Sequence, residues 1–115
     1  MTTFKITSCA EGPNLMLHLH GDLDANTAVN ASHQMETMNK EIKSIVINCR
    51  KLNYVSSAGL GVFLSLALFC QENNIRIALC HIPPHILNVL ELIGVDKKIQ
   101  LVHSEQELQE LLRSD

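Results

Sequence analysis

Apolar and polar residues alternate along this chain in two rhythms, one of period about two and one of about 3.6. Residues 4–7, "FKIT", alternate as a short strand does. Gly12, Pro13 and Asn14 carry the chemistry of a turn. In the "LMLHLHG" that follows, Leu15, Leu17 and Leu19 share one face, and Met16, His18 and His20 share the other. Two alternating runs around a tight turn predict an antiparallel hairpin. Asp24 then stands where a helix cap belongs. Ala28, Ala31, Met35 and Met38 recur behind it as the stripe of an amphipathic helix.

"SIVINC", residues 44–49, is a β-branched run of the kind buried on both faces. Past "RKLNYV" and a serine–glycine stretch, Leu60, Phe63, Leu64, Ala67 and Leu68 return at helical spacing. "IRIALC", residues 75–80, reads as another strand. The next helix is well punctuated: Pro84 suits its first turn, Ile86, Leu87, Leu90 and Ile93 form its stripe, and Gly94 closes it. A short strand, "IQLV", leads to Ser104, which forms a capping box with Glu107 ahead of Leu108, Leu111 and Leu112. The order is β-β-α-β-α-β-α-β-α. It predicts one α/β domain over residues 1–115, a mixed, mostly parallel sheet with about four packed helices. There is no internal repeat and no linker.

Composition narrows the function. The chain has 115 residues, 46% of them hydrophobic and only 18% charged, and a formal net charge of −3. A charged share below the usual quarter or so leaves room for an interaction patch. No Lys/Arg run marks a nucleic-acid footprint. The start lacks the layout of a signal peptide. Leu52 to Cys70 has no charged residue, but serines, glycines and an asparagine break it up. Its continuous apolar part is nearer a buried helix than the ~20 residues a bilayer demands. The expectation is a soluble cytoplasmic protein with no membrane or nucleic-acid partner. Cys9, Cys49, Cys70 and Cys80 show no metal-type spacing and read as reduced, mostly buried thiols.

The candidate chemistry gathers in "NYVSSAGLG", residues 53–61, between a buried strand and a helix. Ser56 or Ser57 is placed to cap that helix. Gly59 and Gly61 clear side chains from its first turn so that a neighbouring backbone can approach. No lysine follows the glycines, so this is not a phosphate-cradling P-loop. Glycines do not bracket the serine, and no His–Asp spacing stands out among six histidines, which argues against a serine hydrolase. A third use is a hydroxyl that is itself modified. At a helix N-terminus the dipole tolerates a phosphate, while a docked partner facing an added charge of about −1.5 to −2 is repelled.

"GDLDANTA" followed by "INCRKLNYVSSAGLGVFL", with the later "CHIPPHILNVLELIGVDKKIQLVHSEQEL", resembles the STAS domain of bacterial anti-sigma factor antagonists, from about Phe4 to Leu112. That resemblance implies a non-enzymatic switch without a cofactor. The unphosphorylated antagonist binds an anti-sigma factor that is also a serine kinase and so frees a sigma factor. The kinase inactivates it by phosphorylating one serine, and a phosphatase restores it. On the family's pattern the acceptor falls on Ser57, with Ser56 second. Ser56 replaces the acidic residue often found there, and Ala58 replaces a second serine. The resemblance places Asp24 near the acceptor, in partner or nucleotide contacts. Thr27, Ser56, Ala58, Gly59 and Leu60 complete the implied partner-binding rim. A second use of the same fold is as a regulatory subunit of a transporter, such as a lipid-transport ATPase complex, without phosphoswitching.

Read without the resemblance, Asp24 is a plain helix cap and Asp22 a solvated residue, with Leu23 between them pointing into the core. His18 and His20 form an H-x-H pair that lacks a third ligand. His81 and His85 flank a strand-to-helix turn, and Lys97–Lys98 is a solvated loop.

Overall fold

The computed structural model describes residues 4–25, 27 and 42–113. The helix stripe expected at Ala28, Ala31, Met35 and Met38 lies outside the described residues. Strand β1, Lys5–Glu11, and β2, Asn14–Leu23, form the hairpin; β3 is Ser44–Val55. Helix α1, Ser57–Glu72, leads to β4, Arg76–Cys80, and α2, Pro84–Ile93, leads through a 3-10 turn, Val95–Lys97, to β5, Gln100–Val102. Helix α3, Glu105–Arg113, follows. The sheet order is β1-β2-β3-β4-β5, with β1 antiparallel to β2 and the other neighbours parallel. This is the expected α/β architecture, with three α-helices among the described residues.

The two faces of the sheet are covered unequally. Leu15, Leu17, Leu19, Ile45, Ile47 and Leu79 project from one face into a core shared with Leu60, Phe63 and Leu66 of α1 and Ile86 and Leu90 of α2. On the other face, among the described residues, Val46, Ala78, Cys80 and Val102 pack against Leu108 and Leu111 of α3, with Met16 and Leu112 at their margin. Ser44 is the one buried polar residue of the described core, and its hydroxyl donates to Asn14 Oδ1 where β2 and β3 begin side by side. Burying a hydroxyl is affordable only with such a partner.

Helix ends follow their punctuation. Gly94 closes α2 with φ of 89°, the left-handed conformation that glycine adopts without strain. Ser104 Oγ accepts from the Glu107 backbone N–H at 3.1 Å, giving α3 its cap.

The strands run longer than their patterns. β1 continues to Glu11 because its ladder with β2 is unbroken from Lys5↔His20 to Glu11↔Asn14, although most of its side chains are exposed. β3 extends six residues past Cys49. It pairs with β4 only up to Asn48, so beyond that point one edge is open and exposed polar residues fit. Pairing with β2 nevertheless persists to Leu23↔Val55, through two register shifts.

Candidate functional site

The parallel strands deliver their C-terminal ends to one edge of the molecule, where crossover loops in α/β folds carry function. Two segments meet there. The register sets Leu23 opposite Val55, and the Ser56 N–H donates to the Leu23 carbonyl at 2.8 Å. Asp24 and Ser56 are thus the residues immediately beyond the last rung, which brings the "GDLD" and "SSAGLG" segments together.

Asp24 and Thr27 lock one another. The Thr27 N–H donates to Asp24 Oδ1 at 3.2 Å, and the Asp24 N–H donates to Thr27 Oγ1 at 3.0 Å. This is a reciprocal helix cap with threonine in the place usually held by Glu or Gln. The Thr27 hydroxyl also lies 3.0 Å from the Asp22 carbonyl. Asp24 and Thr27 thus brace one another where the chain leaves β2. Asp22 and Asp24 are half-buried on either side of Leu23, which is fully buried as its position predicts.

The two serines divide the work. Ser56 is the N-cap of α1: its backbone is extended (φ −87°, ψ 177°), and its Oγ accepts from the Gly59 N–H at 3.2 Å. Its carbonyl takes the Leu60 N–H at 2.9 Å. Ser57 is the first helical residue and is exposed, as is Ala58. No described residue hydrogen-bonds the Ser57 hydroxyl. No imidazole or carboxylate is paired with it, whereas an activated serine nucleophile needs a base within reach. Of the backbone donors in this first turn, Gly59 and Leu60 are satisfied. Those of Ser57 and Ala58 belong to exposed residues at the positive end of the helix dipole, where no intrahelical acceptor exists.

The two glycines are not equivalent. A Cβ on Gly59 would stand 2.5 Å from the Leu23 carbonyl oxygen and 2.9 Å from Leu23 Cγ, so only glycine lets α1 seat against the end of β2. A Cβ on Gly61 would meet nothing within 4 Å. The expectation that Gly61 also permits a close approach within the fold is therefore corrected: Gly61 is exposed, one turn along from Ser57. The stripe needs a similar correction. Leu60, Phe63 and Ala67 are buried as expected, but Leu64 and Leu68 are 38% and 57% exposed, while Val62 and Leu66 are buried in their place. The exposed residues of α1 from its start through Leu68 are therefore Ser57, Ala58, Gly61, Leu64, Ser65 and Leu68, none of them charged, with Gln71 and Glu72 exposed at its C-terminal end.

One contact escaped the sequence reading. His85, on the first turn of α2, bonds through Nε2 to the Asn53 carbonyl at 2.8 Å, tying α2 to the far end of β3 just before the serines. Only the pairing of β3 with β2 brings Asn53 within reach of α2, and no local pattern encodes that. Elsewhere, no group of three or more His, Cys, Asp or Glu side chains among the described residues converges on a metal-sized site. None of the described helices is long and apolar enough to cross a membrane.

Comparison with known proteins agrees with this geometry. The sequence profile of the STAS domain matches residues 5–108. An anti-sigma F factor antagonist of Paenibacillus polymyxa is 26% identical over 93 residues, covering 79% of this chain and 80% of its own. A solved anti-sigma factor antagonist from Mycobacterium paratuberculosis matches with a TM-score of 0.85 at 14% identity, over 97% of this chain and 96% of that one. The antagonist SpoIIAA in its unphosphorylated form matches with a TM-score of 0.73 at 17% identity, over 98% of this chain and all of its own. At such identities the solved structures speak for the fold, and the profile, which covers nearly every described residue, speaks for descent. This chain belongs to the STAS domain family.

Proposed function

We propose that the protein is an anti-sigma factor antagonist, a non-enzymatic binding module switched by phosphorylation of Ser57. Unphosphorylated, it docks on an anti-sigma factor that is also a serine kinase and so releases a sigma factor. The kinase transfers the γ-phosphoryl group of ATP to Ser57 Oγ. The new O–P bond forms as the bond to the β-phosphate oxygen breaks, ADP leaves, and the hydroxyl proton passes to a base on the kinase. A phosphatase reverses the modification.

The observation that carries this reading is the division of labour between the serines. Ser56 is committed to the cap, whereas Ser57 offers an exposed, unengaged hydroxyl at the start of a helix whose exposed residues are uncharged as far as Leu68. A phosphate there meets the helix dipole and the free N–H groups of Ser57 and Ala58, so the fold tolerates it. A partner seated on the same uncharged face would have to bury a dianion. Asp24, Thr27, Ala58, Gly59 and Leu60 frame the docking rim in this reading. The relatives that carry the antagonist description favour it over regulation of a transporter.

The test is incubation with the cognate kinase and ATP, read by mass spectrometry. One phosphate on Ser57, lost in Ser57→Ala and retained in Ser56→Ala, is the expected result. Ser57→Asp is expected to weaken binding to the anti-sigma factor by about tenfold or more, about 1.4 kcal/mol, by calorimetry. Label persisting in Ser57→Ala, or unchanged affinity of Ser57→Asp, would overturn the proposal.

A further inference from the structure

The hairpin side of the sheet face that α3 covers only in part carries a hollow of about 400 Å³, lined by Thr7, His18, Leu19, His20, Asn48, Arg50 and Lys51. Strand register orders these side chains in rows. His20 lies between Lys5 of β1 and Lys51 of β3; His18 lies between Thr7 of β1 and Asn48 of β3. Neighbouring strands are about 4.8 Å apart, so one row sets a lysine on each side of an imidazole and the next sets a hydroxyl and an amide. Asn48 is already oriented. Its Oδ1 accepts from the Arg50 N–H at 2.9 Å, which leaves its two amide N–H donors for other partners.

This concentration of cations runs against the chain's net charge of −3, and no carboxylate lines the hollow. Among apolar stems and Leu19, the lining side chains carry donors: a hydroxyl, an amide, two imidazoles, a guanidinium and an ammonium. We propose that this hollow binds a compact, multiply charged oxyanion of the pyrophosphate type, with Lys51 and Arg50 supplying fixed positive charge and Thr7 and Asn48 supplying oriented donors.

The other ionisable groups on the elements around the site are few. Lys5 adds to the field. Asp22 lies two residues beyond His20 on β2, and Glu11 and Cys9 sit further along β1. Glu105 of α3 is 4.0 Å from His81, which itself lies 3.3 Å from the Arg50 guanidinium. Glu105 and His81 thus hold Arg50 at the rim, next to the hollow's β3 wall. The site is independent of Ser57, which stands at the start of α1 on the opposite side of the sheet.

Calorimetric titration of the full chain with sodium pyrophosphate tests the proposal. Saturable binding is expected at low salt, weakening as the salt concentration is raised because the attraction is between charges. Replacing Arg50→Gln together with Lys51→Gln is expected to cost about tenfold or more in affinity. Amide chemical-shift mapping on the unaltered protein needs no variant to fold, and it should place the perturbations at Thr7, His18, His20, Asn48 and Lys51. No saturable binding, perturbations confined to Lys97–Lys98 or the start of α1, or full affinity in the Arg50/Lys51 variant would overturn it.

Discussion

At the residue scale, Gly59 and Gly61 look alike in the sequence and differ in what surrounds them. Only the first has backbone in the path of a Cβ, the Leu23 carbonyl at 2.5 Å. A carbonyl held by the Ser56 N–H has little freedom to retreat. Gly59→Ala is therefore expected to destabilise the fold by about 1–3 kcal/mol, the cost of overpacking. Gly61→Ala occupies open space on a helix and is expected to stabilise by about 0.5–1 kcal/mol. Urea unfolding of the two variants measures both; a Gly61→Ala loss as large as that of Gly59→Ala would contradict the geometry. A glycine that weakens its helix without relieving any crowding in the fold fits a surface that another molecule approaches closely. On that account Gly61→Ala should bind the anti-sigma factor less well while unfolding later.

At the element scale, α1 joins the two segments of the site, and its cap engages Ser56 while leaving the Ser57 hydroxyl without a described partner. Ser56→Ala removes the acceptor of the Gly59 N–H and is expected to cost about 1 kcal/mol. Ser57→Ala removes a hydroxyl with no described partner and is expected to stay within about 0.5 kcal/mol of the parent. Thermal unfolding of both variants checks this, and equal losses would mean that the cap is shared. The sequence alone could not choose between these serines, because either fits a cap and the choice depends on where β3 ends. That end was hidden. Local polarity after Cys49 reads as a loop, yet pairing with β2 carries the strand on to Val55. The helices α2 and α3 were legible to within their caps because Pro84, Gly94 and Ser104 are local signals. Leu64 and Leu68 fell on the wrong side because α1 is apolar nearly all round. Periodicity cannot orient such a helix; only contact with the sheet does.

At the scale of the whole molecule, the core holds three thiols whose ionisation is suppressed by the fold. Burial pushes Cys49 up to about 12, with Cys80 adding to the effect, and pushes Cys70 up to about 11. Cys80 is also raised to about 11, by burial first and then by the nearby Glu105 carboxylate, with Arg50 opposing. Cys9, by contrast, is exposed on β1. A thiol reagent applied to the native protein should therefore label Cys9 alone, and the other three only on unfolding. The same burial sets an alkaline limit. In the unfolded chain these thiols titrate near 9.0, so the unfolded state releases protons before the folded state does. The stability they contribute is complete below that value and is lost as pH climbs toward 11 and 12. By about pH 10 each thiol removes about 1 kcal/mol, a sizeable part of a domain stability of about 5–15 kcal/mol. Cys70 is the cleanest probe, since burial alone raises it. Cys70→Ala should lower stability at neutral pH through the cavity it leaves, yet its stability should fall less than the parent's between about pH 8 and 10. Urea unfolding of both proteins across that interval reads the difference in slope. Parallel slopes would show that Cys70 titrates alike in the folded and unfolded chain, and that the sheet and α1 do not seal it from water.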